Sequence, residues 1–249
     1  MQIQTPGIRL IAGFTDFGLS GPYQGQMAAV LAALAPQIPY VTLMADAPMF
    51  DARASGILLA SLCRDMPDNT LILAVVDPGV GGSRRPLMIR TERQLLVGPD
   101  NGLFVPLVRC SQRCEIETID WRPRRLSESF HGRDLFAPVA AGLATGQSLE
   151  GSPLEPRQLV GFDSPLEEHR IIYIDHYGNA ITSIDASSIE EDSIIEINGV
   201  ELRYARTFDE VKPGQGFWYR NSMGLIEFAV NRGSAAKLLH LEPGTPIDQ

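Results

Sequence analysis

The six residues Leu71-Ile72-Leu73-Ala74-Val75-Val76 are apolar without interruption and run straight into Asp77-Pro78-Gly79-Val80-Gly81-Gly82-Ser83-Arg84-Arg85. A short apolar run bounded by such punctuation reads as a buried strand, and the Gly- and Pro-rich stretch after it cannot continue as helix. The strand therefore delivers an acid, Asp77, into a turn that also carries a guanidinium, Arg84. Open α/β sheets bind their ligands outside the carboxyl ends of strands, so this stretch points to an α/β architecture and to the place of its site. Two similar punctuations occur: Thr15-Asp16-Phe17-Gly18 after the first strand-like segment, and Phe130-His131-Gly132-Arg133-Asp134 before an apolar helix. Three polar clusters at element ends suggest one cleft.

Around this strand the first 150 residues alternate strand and helix patterns. Strands are expected over 8–14, 40–44, 71–76, 87–90 and 94–97, with an edge strand over 115–119. Helices are expected over 23–34, 52–63, 103–108 and 134–143. In the first helix the spacing puts Met27, Val30, Leu31 and Leu34 on one side. Residues 151–168 are polar and rich in Pro and Gly, and read as a linker. Beyond them helix signals nearly vanish. Strands are expected over 171–174, 180–184, 194–197, 200–204, 216–219 and 225–230, with Asn198-Gly199 as a hairpin turn. The fold class is thus an α/β N-terminal domain (1–150), a central and mostly parallel sheet flanked by helices, followed by a smaller all-β C-terminal domain (169–249).

Composition narrows the function classes. A charged share of 20% and an apolar share of 44% belong to a globular chain. A net charge of −9 disfavours a general nucleic-acid binder. No segment has the ~18 uninterrupted apolar residues of a membrane span, and residues 1–10 lack the pattern of a signal peptide. Three cysteines without a matching His/Cys set read as reduced thiols of a cytoplasmic protein. No metal centre is expected, and no GxGxxG dinucleotide turn is present.

Taken in order, six pieces resemble the S-adenosyl-L-methionine hydroxide adenosyltransferases, relatives of the fluorinating and chlorinating enzymes. They are Thr15-Asp16-Phe17-Gly18; Asp77 to Gly82 with Arg84; Gly98-Pro99-Asp100-Asn101-Gly102; Phe130 to Asp134 with Phe136-Ala137-Pro138; Asp175 to Asn179; and Asn221-Ser222-Met223-Gly224 with Glu227. Together they span almost the whole chain. The resemblance implies hydrolysis of S-adenosylmethionine to adenosine and methionine, with no cofactor, in a homotrimer whose pockets lie at subunit interfaces.

The resemblance puts Asp77, Arg84 and His131 on the trio associated with water activation. Water needs a base or a cation that favours its hydroxide form. A neutral His can take a proton near pH 7, whereas Arg can only supply fixed charge. The leaving thioether is neutral and needs no acid. Asp16 falls at the ribose-binding acid, Phe50 against the nucleoside and Asn179 at adenine. Asp175 would meet the methionine ammonium, and Ser222, Glu227 and Ala229 would line the substrate. The residues alone also admit plainer readings: an Asp77–Arg84 ion pair bracing its turn, His131 capping the next helix, Asp16 as a helix N-cap, and Asn179 as a turn residue.

Departures from the family pattern lie at 42–48, Gly21 and Ser183, away from the trio. Halogenating relatives carry a long extra loop in the first domain, and no stretch here can be that loop. Asp77 and Val80 stand where they have a Tyr and a Thr, and His131 where they have a Tyr. A carboxylate at that place repels a halide. Two further readings stay in play: a non-catalytic S-adenosylmethionine or adenosine sensor, and a metal-dependent phosphohydrolase using Asp16, Asp77, Asp100 and His131.

Overall fold

The computed structural model describes residues 7–165 and 169–247. The chain divides into two compact units. The first holds the described residues up to Ala60 together with Asp65–Ser164, and the second holds Ser61–Arg64 and the chain from Pro165 onward.

The first unit runs β1 (Leu10–Thr15), α1 (Tyr23–Leu34), β2 (Tyr40–Met44), α2 (Ala52–Cys63), β3 (Thr70–Val75), β4 (Pro86–Thr91), β5 (Gln94–Pro99), α3 (Val105–Cys110), β6 (Cys114–Ile119), α4 (Ala137–Ala144) and β7 (Gly151–Leu154). Its seven strands form one sheet in the order β2-β1-β3-β5-β4-β6-β7. Strands β2, β1, β3 and β5 pair in parallel, and β4, β6 and β7 add on antiparallel to their neighbours. Five of the seven strands consequently run the same way. Every residue of β3 is buried. Its alternate side chains Leu71, Leu73 and Val75 join Ile11, Val97, Met27 and Leu31 in one core with α4, while Ile72 and Ala74, equally buried, face the other way. Burial on both faces is why the strand shows no polar alternation.

From β1 the chain crosses over α1 to β2, then over α2 to β3 on the far side of β1. The right-handed crossover rule places those two helices on opposite faces. The order therefore reverses at β1, and the carboxyl ends of the paired strands β1 and β3 flank the crevice that such a reversal opens. Asp16 and Asp77 leave the sheet at those two ends.

The segment read as a linker begins with a strand. Residues Gly151–Leu154 pair with β6, Ile116 opposite Leu154 and Ile119 opposite Gly151, so β6 is interior and β7 is the edge. Pro153 is tolerated there because an edge strand has a side with no ladder bond to make. The remaining expected elements shift by one to three residues at their ends. Leu34 is half-exposed instead of packed beside Met27 and Leu31, and residues 166–168 of the expected linker lie outside the described residues.

The second unit contains a four-stranded antiparallel sheet ordered β12-β13-β9-β8, built from β8 (Ile171–Ile174), β9 (Ala180–Asp185), β12 (Gly216–Arg220) and β13 (Leu225–Val230). A hairpin of β10 (Ile194–Ile197) and β11 (Val200–Arg203) turns at Asn198 and Gly199, both at positive φ (50° and 76°), as a two-residue primed turn requires. Trp218, Phe228 and Ile226 fill its core. A four-residue helix, α5 (Ala235–Leu238), was not anticipated; Ser234 caps it by accepting from the Lys237 N–H. Among the described residues no helix is long and apolar enough to cross a membrane.

Gly98 on β5 shows how tightly the sheet is closed near the crevice. A Cβ there would stand 2.1 Å from the Ala74 carbonyl oxygen and 2.8 Å from the Phe104 ring. Gly98→Ala is expected to lower stability by about 1–3 kcal/mol, the usual cost of overpacking, read as a lower urea midpoint at unchanged m-value.

Candidate active site

At the carboxyl end of β3 the Asp77 carboxylate receives the Arg84 guanidinium side-on. Nε donates to both carboxylate oxygens at 3.0 Å and Nη2 donates to Oδ2 at 2.5 Å. The pair is buried, with side chains 4% and 10% exposed. Removing one partner from a buried pair typically costs ~3–5 kcal/mol, because the other is left uncompensated. Arg84 Nη2 also lies 2.7 Å from His131 Nδ1. A guanidinium can only donate, so that ring nitrogen carries a lone pair and the imidazole is neutral, with its proton on Nε2. Burial lowers the His131 pKa and the Arg84 charge lowers it further, against the opposing pull of Asp77 and Asp134.

The turn that carries this pair depends on Gly81. Its φ is +80°, and a Cβ would stand 2.5 Å from the Glu128 carbonyl oxygen, so the turn lies directly on the loop leading into His131. Two tethers come from the third motif. Asn101 Nδ2 donates to the Val76 carbonyl at 2.8 Å, just before Asp77. Asp100, 2% exposed, accepts from Arg85 Nε at 2.7 Å and from the Val160 N–H at 3.0 Å. Asp100 therefore holds the residue next to Arg84 and does not face a ligand. Among the described residues no group of three or more His, Cys, Asp or Glu is arranged to hold a metal ion.

Asp16 lies at the neighbouring strand end, where its Oδ2 accepts the Phe50 N–H at 3.3 Å. Burial raises its pKa, and the Asp77 charge adds to the rise. The N-cap position of α1 is Pro22, so Asp16 does not cap that helix. His131 likewise makes no side-chain capping bond to the turn that follows it. Phe50 is 72% exposed at φ +61°, a conformation uncommon outside Gly and Asn and frequent at functional positions.

In the second unit Asp175 organises a tight loop. Its Oδ1 accepts the Tyr177 and Asn179 N–H groups at 2.9 and 2.8 Å, and its Oδ2 accepts Asn179 Nδ2 at 3.1 Å. Asn179 also donates to Glu227. Glu227 is 4% exposed and takes the Tyr219 hydroxyl on Oε1 and Asn221 Nδ2, at 2.9 Å, on Oε2. Burial raises the Glu227 pKa; burial and the bond to Glu227 raise that of Tyr219. With both Nδ2 protons engaged by carboxylates, Asn179 has its amide oxygen to offer. Asp175, Asn179, Tyr219, Tyr177, Phe208 and Arg232 border an open pocket of about 680 Å³.

The structure thus gathers Asp77, Arg84 and His131 into one cluster with Asp16 and Phe50 beside them, and Asp175, Asn179 and Glu227 into another. Ser222 is exposed on the β12–β13 turn. Ala229 is fully buried against Phe217 and Ala205, and the pocket wall from this strand comes instead from Val230. Tyr219, Asn221 and Arg232 were missed. Asn221 sat inside a recognised motif and could have been read, but Tyr219 looked like any residue of an alternating strand.

An α/β unit with an Asp–Arg–His cluster at its strand-order reversal, followed by a β unit with an aromatic-lined pocket, defines a small-molecule enzyme of two-part construction. Residues 11–152 match the SAM hydroxide adenosyltransferase N-terminal domain and residues 169–248 the C-terminal domain of the same family. The chain belongs to that family. A protein of Thermus thermophilus named (R)-S-adenosyl-L-methionine hydrolase is 37% identical over 258 residues, covering 96% of this chain and 99% of its own. One of the same name from Salinispora arenicola is 36% identical over 247 residues, covering 94% of each. A fluorinase of Actinopolyspora mzabensis is 23% identical over 286 residues at 96% coverage of each. Its longer alignment over a similar share of this chain means that it carries several tens of residues absent here. A crystal structure of a conserved Thermotoga maritima protein superposes with a TM-score of 0.85 at 30% identity, covering 96% of this chain and 98% of that one.

The neutral His131 has a consequence for stability. A group whose pKa is lowered by folding contributes stability that is present above its unfolded pKa, about 6.5 for His, and that is lost as pH falls through the folded value. Wild type should therefore lose more stability below about pH 6.5 than His131→Gln, whose amide oxygen can accept from Arg84 but cannot be protonated there. The excess amounts to roughly 1.4 kcal/mol per unit of lowering, measured by thermal unfolding of both proteins from pH 8 to pH 5.

Proposed function

We propose that this protein hydrolyses S-adenosyl-L-methionine to adenosine and L-methionine. A water oxygen bonds to the ribose C5′ as the C5′–S bond breaks, and the electron pair leaves on a neutral thioether. The observation that carries the reading is the buried Asp77–Arg84–His131 cluster in a chain of this family. A sensor that only bound the nucleoside would need Asp16 and Asn179, but would have no use for a buried charged cluster at the strand-order reversal.

The geometry supports a division of labour within the cluster. His131 Nδ1 is occupied by Arg84, so the ring offers an Nε2–H donor to orient the water. Asp77 keeps a spare lone pair on Oδ1, which takes one contact where Oδ2 takes two, and receives the proton. Attack by neutral water yields a protonated alcohol, a much stronger acid than any carboxyl group. A carboxylate paired with the Arg84 guanidinium is therefore a sufficient base. In-line positioning of water against the departing sulfur supplies much of the rest.

On this reading Asp16 accepts from the ribose diol and Phe50 packs against the nucleoside. The Asn179 amide oxygen accepts from the adenine amino group, while Glu227 acts from behind by holding Asn179 and Tyr219. Asp175 shapes the loop beside the methionine ammonium. Ser222 and the main chain around Ala229 complete the lining. The reaction uses no metal or cofactor, and the protein works as a cytoplasmic enzyme. The missing residues relative to the fluorinase, together with Asp77 at the nucleophile position, favour water over halide.

Reaction in ¹⁸O-labelled water tests the chemistry. The label is expected in the 5′-hydroxyl of adenosine, without added metal and with no 5′-halo-5′-deoxyadenosine at saturating chloride or fluoride. Absence of adenosine, dependence on a divalent ion, or a halonucleoside would each overturn the proposal. Asp77→Asn, Arg84→Lys and His131→Ala should each lower turnover by roughly 10²–10⁴-fold, with a much smaller change in substrate affinity.

The reading extends to a homotrimer whose pockets combine one subunit's α/β unit with a neighbour's β unit. Support comes from the distribution of the residues over two units and from exposed Leu19, Met49 and Phe50 near Asp16, the kind of apolar surface that marks an interface. Mixing inactive His131→Ala with inactive Asn179→Ala should partly restore activity once subunits exchange, because some pockets then carry neither change. Exchange verified by mass spectrometry without any return of activity would show that pockets are not shared.

A further inference from the structure

His131 does not open an ordinary α-helix. Residues Gly132–Phe136 form a single π-helical turn, closed by the Ala137 N–H donating to the Gly132 carbonyl, before α4 continues to Ala144. The sequence provides a physical reason for the wider turn. In an α-helix the Asp134 carbonyl would accept from residue 138, but Pro138 has no N–H to give. Gly132 permits the crowding that results, since a Cβ there would meet Met27, Phe130 and Phe17 at 3.2–3.3 Å.

The turn changes which side chains share a face. In an α-helix residues five apart lie roughly 140° around the axis from one another. A turn closed from residue i to i+5 widens the helix and brings them closer to a shared face. Residues 131 and 136 are such a pair, and both contact Arg84. His131 Nδ1 is 2.7 Å from Nη2, and the fully buried Phe136 ring has the guanidinium carbon 5.2 Å from its centroid. Asp77 takes the guanidinium edge, His131 takes one terminal nitrogen, and the guanidinium carbon lies over the Phe136 ring. A guanidinium held along its edge and packed over a ring has little freedom left to rotate.

We propose that Phe136 is a positioning residue for the reaction, and that the π-turn exists to let Phe136 and His131 grip Arg84 together. The cation–π contact fixes the guanidinium plane in which Arg84 serves Asp77 and His131 at once. The role in turnover rests on the hydrolase reading above; the effect on His131 does not. The charged groups around that imidazole are Arg84 and Asp77 from the turn after β3, Asp134 from its own turn and Arg122 from the preceding loop. Loosening Arg84 takes away a cation that holds His131 neutral, so the imidazole should titrate closer to its ordinary value.

The test replaces Phe136 by phenylalanines of increasing ring fluorination, which weakens the π face stepwise at nearly constant shape, with Phe136→Leu as the end point. The His131 titration, followed by its ring-proton NMR signals, should move upward in step with fluorination. In the same series kcat should fall, by roughly 10-fold at Phe136→Leu, with KM nearly constant. A flat NMR titration across a folded series would overturn the proposal whatever the activity. If the titration moves while kcat does not, the grip on Arg84 exists but is not used in turnover, and the positioning role is refuted. If no form has hydrolase activity, the NMR series still decides the contact, so failure of the hydrolase reading remains separate. Should Phe136→Leu not fold, the mono- and difluorinated proteins carry the test.

Discussion

The guanidinium of Arg84 is the group on which the rest of this site depends. One buried cation satisfies both oxygens of Asp77, fixes the tautomer of His131 and lies over the face of Phe136. Each partner comes from a different consequence of the fold. Asp77 is where β3 ends, Arg84 is on the return of a Gly-rich turn, and His131 and Phe136 are brought toward one face by a π-turn. Burying an ion pair is expensive unless its geometry is well satisfied. Here the surroundings meet that demand: Asn101 ties down the residue before Asp77, Asp100 ties down the residue after Arg84, and Gly81 lets the turn rest on the neighbouring loop.

The second unit solves a related problem without a cation. Glu227 is a buried carboxylate too, yet its partners are a phenol and two side-chain amides. Neutral donors stabilise a carboxylate less than a guanidinium does, and burial raises the Glu227 pKa. The arrangement fixes the orientation of the Asn179 amide, because a carboxylate on each of two sides leaves its NH₂ group only one way to point. The amide oxygen of Asn179 is thereby left with a direction set by the protein itself.

Much of the fold could be read from the chain because its signals are local. The unbroken apolar run of β3, the helical spacing of α1 and the Asn198-Gly199 turn each state their structure within a few residues. The edge strand β7 could not be read, because Gly, Ser and Pro at 151–153 carry turn chemistry and only pairing with β6 makes them a strand. The π-turn was hidden for a similar reason: a helix was expected from Asp134, and periodicity does not distinguish a single wide turn from a frayed start. For the site, Asp77, Arg84 and His131 stood out as polar residues at element ends. Tyr219 did not, since its use depends on which face of β12 turns toward Glu227, a fact held in tertiary packing alone.

The close approach at Gly81 makes two parts of the cluster depend on one position. The turn that carries Asp77 and Arg84 touches the loop before His131 main chain to main chain, with no side chain between to act as a cushion or a joint. A side chain at position 81 would push the two segments apart. Across the crevice, the segment around Phe50 reaches Asp16 through one 3.3 Å hydrogen bond and keeps a left-handed residue at its tip. Any residue larger than Gly at position 81 would therefore disturb the Asp77–Arg84 turn and the approach to His131 at once, whereas the segment around Phe50 meets Asp16 through a contact of its own.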